Sequence, residues 1–99
     1  MTVIDKVAPR AVAAINRVLK KEMGRFGLRA IAVKPGPDHD GDPAIYIHVD
    51  YDLSPTPLDN KVVLRAEDEI RRLLRAGDEH RFAHFRHHFD EAQKLVGDR

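Results

Sequence analysis

The chain contains no cysteine and no tryptophan, and its single serine is Ser54. Without cysteine there is no disulfide and no thiolate nucleophile, which is typical of proteins in the reducing cytoplasm. One serine, placed directly before Pro55, argues against covalent catalysis through a hydroxyl. The sequence also has no P-loop, nucleophile elbow or dinucleotide-binding fingerprint, which argues against the enzyme classes that depend on them.

Long apolar runs are missing as well. No segment approaches the roughly 18 apolar residues that a membrane span requires, and the N-terminus lacks the basic-then-apolar order of a signal peptide. We therefore expect a cytoplasmic protein with no membrane contact. The 99 residues are enough for one domain, residues 1–99, with a small core that a partner would help to cover.

The net charge is only +1, but the charges are unevenly distributed. Residues 1–35 contain eight Lys or Arg and two acidic residues, whereas residues 36–60 contain six Asp and no Lys or Arg. The overall balance argues against a dedicated nucleic-acid-binding protein. The segregation leaves room for a local basic patch, or for charge-complementary contact between two copies of the chain.

The first half of the chain is predicted to form a helix and two strands. Hydrophobic spacing predicts a helix that begins near Ala8 and ends at Gly24 and Gly27. The alternative is a capping box of Thr2 and Asp5, which would place Pro9 inside the helix. The stretches "LRAIAVK" and "AIYIHVDYDL" indicate strands, and the loop "PGPDHDGDP" joins them into a hairpin.

Two further helices are predicted in the second half. The first has Asp59 as its N-cap and ends at Gly77, and the other follows Asp78 and runs to about Val96. The order is therefore αββαα, an α+β fold in which a two-stranded antiparallel hairpin packs with three amphipathic helices. An isolated hairpin is a poor surface for three helices and leaves two free edges. We therefore expect a homodimer that completes or covers the sheet.

The αββαα order resembles the front part of one type of KH domain, an RNA-binding fold. KH domains clamp RNA with a G-x-x-G loop between two helices. The corresponding turn in this chain is "RAGDEHRF", which contains Gly77 but no second glycine. The predicted order also has no final strand, so no RNA-binding residues are carried across from that family.

The segment "EHRFAHFRHHFDE", residues 79–91, is rich in histidine and phenylalanine. In a helix of about 100° per residue, its phenylalanines join one apolar stripe, and a separate face carries His80, His84, His87, His88 and Glu91. His84 and His88 have the helical spacing that lets two imidazoles reach one zinc ion, and His80 and Glu91 could add ligands. Two histidines are only half of a zinc site, so a solvated polar face is the simpler interpretation.

Polar residues also share one face of the second strand, namely His48, Asp50 and Asp52. A D-x-D pair on a strand can hold Mg²⁺, but the upstream Gly-Ser turn of nucleotidyltransferases is missing. The alternative is that these carboxylates blunt a sheet edge or pair with the basic first helix. The loop "DHDGD", residues 38–42, lacks the glycine and glutamate positions of an EF-hand and is predicted to be a tight acidic turn.

The first helix carries a basic stripe opposite its apolar face, formed by Lys6, Arg10, Arg17, Lys20 and Lys21. Such a stripe can contact phosphates, although it is more often the solvated side of a helix. No aromatic residue lies between these basic residues, so the stripe offers no side chain on which a base could stack.

Together these features favour a non-catalytic, dimeric interaction or regulatory module that needs no cofactor. One alternative is a metal-binding protein or metal-dependent enzyme that holds zinc or magnesium. Its ligands would come from the His-rich third helix and from His48, Asp50 and Asp52. A further alternative is a nucleic-acid-binding protein, with contacts from Arg10, Arg17, Lys20 and Lys21.

Overall fold

The computed structural model describes residues 6–89 of the chain. Its elements, in chain order, are α1 (Pro9–Met23), a short 3₁₀ helix (Gly24–Phe26), β1 (Leu28–Pro37), β2 (Pro43–Tyr51), α2 (Asn60–Ala76) and β3 (Phe82–His88). The three strands form one mixed sheet in the order β1-β2-β3. β1 and β2 are antiparallel, and β2 and β3 are parallel.

The predicted two-stranded hairpin with three helices is therefore wrong, although the fold is α+β. Residues 82–88 form β3 instead of the first half of a third helix, and the rest of that predicted helix, from residue 90 onward, lies outside the described residues. α2 supplies the crossover that a parallel β2–β3 pair requires. The sheet consequently gains its third strand from the same chain, so the argument that a partner must complete it no longer holds.

The alternation of side chains in β3 explains why this segment is a strand. Ala83 is 1% exposed and faces the helices, whereas Phe82 is 55% exposed and faces away. Phenylalanines at residues 82, 85 and 89 fit a helical spacing, but Ala83, Phe85 and Phe89 also fit period two, and a short run cannot distinguish the two patterns. The strand is favoured over the helix because β3 pairs with β2 from Ala44 to Asp50. The backbone N–H and C=O groups on that side of β2 would otherwise lack partners.

The start and end of α1 follow local rules. Pro9 is the first helical residue, where its missing N–H costs nothing, so the predicted start near Ala8 is confirmed. The proposed capping box of Thr2 and Asp5 lies outside the described residues. At the other end Gly27 has φ of 89°, and a Cβ there would lie 2.5 Å from the Asp52 carbonyl oxygen. Only glycine fits this link between α1 and β1.

The ends of α2 also confirm the prediction. The Asp59 side chain accepts a hydrogen bond from the Lys61 N–H at 2.9 Å, as an N-cap does, and Gly77 follows the last turn. Asp78, the expected cap of a third helix, instead has a positive φ of 68° in the turn toward β3. Neither helix of residues 6–89 has the length and the apolar character that a bilayer crossing demands.

The core lies between the helices and one face of the sheet. β2 is the central strand, and its inward residues alternate with partly exposed ones. The largest fully buried side chains come from α1, the 3₁₀ helix, β2 and α2: Ile15, Leu19, Met23, Phe26, Ile45, Ile47, Val49 and Ile70. No helix among residues 6–89 covers the opposite face of the sheet, where the polar residues of β2 and β3 lie.

Candidate functional site

On the open face of the sheet, His48 of β2 meets His88 of β3. Their ring nitrogens, Nδ1 of His48 and Nε2 of His88, are 3.1 Å apart. The rings are nearly coplanar, with an interplanar angle of 7° and a centroid distance of 5.4 Å. The centroid distance exceeds the distance between the two nitrogens by about two ring radii. The rings therefore lie edge to edge, with the two nitrogens directed at each other. One ring therefore donates an N–H and the other accepts it.

This geometry leaves no room for a metal ion between the two imidazoles as they stand. His84 and His88, the pair with helical spacing, lie four residues apart on a strand, which separates them by about 13 Å. They do not reach one ion. His80 lies in the turn before β3, with its Nε2 3.6 Å from Asp78, and Glu91 lies outside the described residues.

His84 itself is packed among rings. Tyr46 stacks on it with centroids 5.1 Å apart, and Phe82 meets it edge-on at 5.0 Å. Its Nε2 is buried without a hydrogen-bond partner among the described residues. Tyr46 is fixed in turn because its hydroxyl donates to the Pro37 carbonyl at 2.8 Å. His84 therefore belongs to an aromatic cluster at the loop end of the sheet, away from the His48–His88 pair.

Asp50 and Asp52 are paired with a cation. The register of β1 and β2 shifts between Leu28 and Ala30, and this bulge places Arg29 beside both carboxylates, at 3.8 Å from Asp50 and 3.3 Å from Asp52. Arg29 and Asp52 are well exposed and Asp50 is partly exposed, so these ion pairs contribute little stability. The partner of these carboxylates is Arg29 of β1 and not, as the alternative prediction had it, the basic first helix.

Within residues 6–89, one group of three side chains lies within reach of a single metal ion, namely Asp38, Asp40 and Asp42. The Asp38 carboxylate accepts the N–H groups of Asp40 and Asp42, each at 2.9 Å. Desolvation raises the pKa of Asp38, but these two N–H groups outweigh it and hold that pKa below its usual value. The loop is thus a self-bonded acidic turn, as predicted.

A polar network that the sequence did not reveal connects α2, β2 and β3. Glu67 accepts from His87 Nε2 at 3.0 Å, and Tyr51 meets His87 Nδ1 at 2.9 Å. Because the ionised carboxylate can only accept, Nε2 carries the proton, and in the neutral imidazole the Tyr51 hydroxyl donates to Nδ1. Burial, and then the negative charge of Glu67, raise the pKa of Tyr51. Tyr51 is 2% exposed, so this network connects α2, β2 and β3 and is not accessible to a substrate.

Arg71 of α2 provides a second attachment to β3. Its guanidinium donates to the Ala83 carbonyl at 3.0 and 3.3 Å. It also lies over the rings of Phe82 and Phe85, at 4.8 and 5.1 Å from their centroids. Its ion pair with Glu67, one helical turn earlier, is long by comparison, at 3.9 Å.

The other edge of the sheet is different, because a groove of about 370 Å³ runs between α1 and β1. Its lining comes from one side of α1, the start of the 3₁₀ helix and the first half of β1: Asn16, Lys20, Gly24, Leu28, Arg29, Ala30 and Ile31. Ile31 pairs with the buried Val49 and so faces the helices, whereas Ala30 pairs with Asp50 and faces the open side. A groove that touches both residues must lie along the outer edge of the strand.

The groove has a basic rim. Lys20 of α1 and Arg29 of β1 line it, and Arg17 lies one turn before Lys20 on the exposed side of α1. Of the predicted contact residues, Arg17, Lys20 and Lys21 are exposed and form no ion pair within residues 6–89. Arg10 lies at the far end of α1, where it donates to the Gly77 carbonyl at 3.2 Å.

Comparison with known proteins provides no match, since no family model, curated protein or solved structure is significantly similar to the chain. The basic stripe of α1 points to Lys20 as a contact residue, but the sequence does not point to Arg29 or Asn16. It predicts two free edges for the hairpin, and the strand order is needed to show that the edge of β1 is the one without a third strand.

Proposed function

We propose that the protein is a non-catalytic interaction module that binds an extended polypeptide segment as an added strand on β1. The observation that supports this proposal is the groove that exposes both faces of β1 beside α1. Within residues 6–89 nothing pairs with the outer side of β1, so its outward N–H and C=O groups are available. Addition of a strand to a free sheet edge beside a helix is a general mode of peptide recognition.

The usable part of this edge is Leu28–Lys34. Pro35 and Pro37 follow it, and since proline has no N–H to donate, added pairing would end there. Along the edge, Leu28, Ile31 and Val33 are only half-buried although they contact the core. An added strand would cover these side chains with its own apolar residues, which would provide the hydrophobic part of the binding energy.

Two sequence-based expectations remain predictions beside this proposal. A homodimer is one, because a second copy could pair its own β1 with the same edge, and light scattering on the purified protein measures this directly. The cytoplasmic location expected from the absence of cysteine is the other. Zinc or magnesium binding is not part of the proposal, since the His48–His88 pair is hydrogen-bonded and Asp50 and Asp52 are held by Arg29.

Hydrogen exchange with synthetic peptides tests the proposal. The probes are three short peptides in which valine alternates with glutamate, glutamine or lysine. At least one of them is expected to slow exchange at alternate backbone amides of Leu28–Lys34, because only the outward N–H groups gain a partner. Peptides methylated at alternate backbone nitrogens, in both registers, are the control. If none of the three peptides protects β1, or if both methylated forms protect it equally well, the proposal is wrong.

A further inference from the structure

The charge around the groove points to the chemistry of the segment that it binds. This inference rests on the proposed function. The chain from Pro9 to Pro37, which forms both walls of the groove, contains seven Lys or Arg and a single acidic residue, Glu22. Glu22 is itself 4.0 Å from Arg65 of α2. Lys20 and Arg29 line the groove and Lys34 lies at the end of the usable strand, so an added strand meets more basic than acidic side chains of these two elements.

These basic side chains are placed along the whole edge. Arg29 lies at the start of the usable strand and Lys34 at its end, while Lys20 lies across the groove on α1. Arg29 is partly neutralised by Asp50 and Asp52. Lys20 and Lys34 form no ion pair with any acidic residue of the described part of the chain, so their charges are available to a bound segment.

A second copy of β1 fits this edge poorly. It would bring another Arg29 and another Lys34 next to the first pair, and like charges on paired strands destabilise the pairing. An acidic segment has the opposite effect, because its carboxylates face the open side together with Lys34 while its apolar residues face Ile31 and Val33. The charge of Lys20 across the groove adds to the attraction. We infer that the groove between α1 and β1 binds an extended peptide segment in which apolar residues alternate with aspartate or glutamate.

The affinities of the three alternating peptides, measured by fluorescence anisotropy, test this inference. The glutamate peptide is expected to bind at least about tenfold more tightly than the lysine peptide at low salt. The difference should shrink strongly near 1 M salt, where surface charges are screened. The double variant Lys20→Glu/Lys34→Glu should reverse the preference between the two peptides.

The variant Arg75→Glu is the matched control. Arg75 is exposed at the end of α2, and it lies near Phe82 and Ala83 at the opposite edge of the sheet. This variant reverses one charge, half of the change in the double variant, and should keep the preference for glutamate.

The possible results separate the two proposals. If the glutamine or lysine peptide binds as tightly as the glutamate peptide, β1 is still a docking edge but the inference about acidic segments is wrong. The same holds if Arg75→Glu changes the preference as much as the double variant. If no peptide binds, both proposals fail together. A stable dimer that resists displacement by all three peptides would identify a second copy as the occupant and would also overturn the inference.

Discussion

β3 and β1 are the two edge strands of one sheet, yet α2 is bonded to β3 through side chains, whereas α1 leaves the outer part of β1 uncovered. On the β3 side, Arg71 and Glu67 reach from α2 to the backbone carbonyl of Ala83 and to the ring of His87. On the β1 side, the neighbouring helix residues are Asn16 and Lys20, with a groove between them and the strand. We expect an edge that side chains attach to its own helix to be less accessible to an added strand than an edge with a groove beside it.

The comparison also explains why the two edges differ in composition. β3 carries three histidines and two phenylalanines, and their rings pack against one another and against Tyr46 and Tyr51. β1 carries small aliphatic residues, two prolines and two cations. Large rings fill space and fix a strand in place, whereas small side chains leave a strand accessible from the side.

Removing the arginine that holds β3 is expected to have the largest effect on stability. Arg71→Ala removes two hydrogen bonds to Ala83 and two ring contacts, and it leaves a buried carbonyl without its partner. We expect a loss of about 2–3 kcal/mol in the free energy of unfolding. The measurement is urea denaturation followed by circular dichroism.

Arg29→Ala is the matched control on β1. Arg29 is well exposed, and its side chain contacts only exposed carboxylates, so its removal should change stability by less than about 1 kcal/mol. Equal losses for the two variants would contradict the proposed difference between the edges.

The buried tyrosine allows a second test, which depends on pH. Burial and the charge of Glu67 raise the pKa of Tyr51 above its ordinary value of 10.0, so the folded state favours the neutral hydroxyl. This stabilisation is complete below about pH 10 and is lost as pH rises toward the folded-state pKa. The free energy of unfolding should therefore fall more steeply above about pH 10 in the wild type than in Tyr51→Phe.

At neutral pH the same Tyr51→Phe variant should be less stable by about 1–2 kcal/mol, because Nδ1 of His87 loses its donor. Denaturation curves at a series of pH values measure both effects. Identical pH profiles for the two proteins would show that the Tyr51 hydroxyl is not buried in this network, and the attachment of β3 to α2 would then depend on Arg71 and on the bond between Glu67 and His87.

Most of the fold follows from local signals, and the part that does not is β3. Pro9, Asp59 and Gly77 mark helix ends through their own backbone chemistry, and the alternation from Ile45 to Tyr51 identifies β2 without any tertiary information. The segment of β3 fits both the helical period and the strand period. The choice between helix and strand depends on the unpaired edge of β2, which lies far away in sequence.

The same limit applies to the candidate sites. One interpretation of the sequence makes His48 on a strand and His88 on a helix ligands of one metal ion. In the structure the two side chains do meet, but the two residues lie on adjacent strands. Lys20 was identified from the basic stripe of α1. Its position beside a free strand edge depends on the strand order and on the bulge at Arg29, neither of which has a local signature in the sequence.

Zinc binding is expected to have the smallest effect, and it tests the histidine-rich edge directly. A zinc site needs three or four ligands in fixed geometry, but only two imidazoles meet on the open face, and each would have to break their shared hydrogen bond and turn. Calorimetry on tag-free, chelator-treated protein should therefore show binding weaker than about 1 μM with no fixed stoichiometry. The double variant His48→Ala/His88→Ala should bind little less than a control that replaces the exposed His39 and His80. Submicromolar binding of one zinc per chain, lost only in the His48/His88 variant, would contradict this expectation and would show that the two imidazoles separate to hold a metal ion on the open face of the sheet.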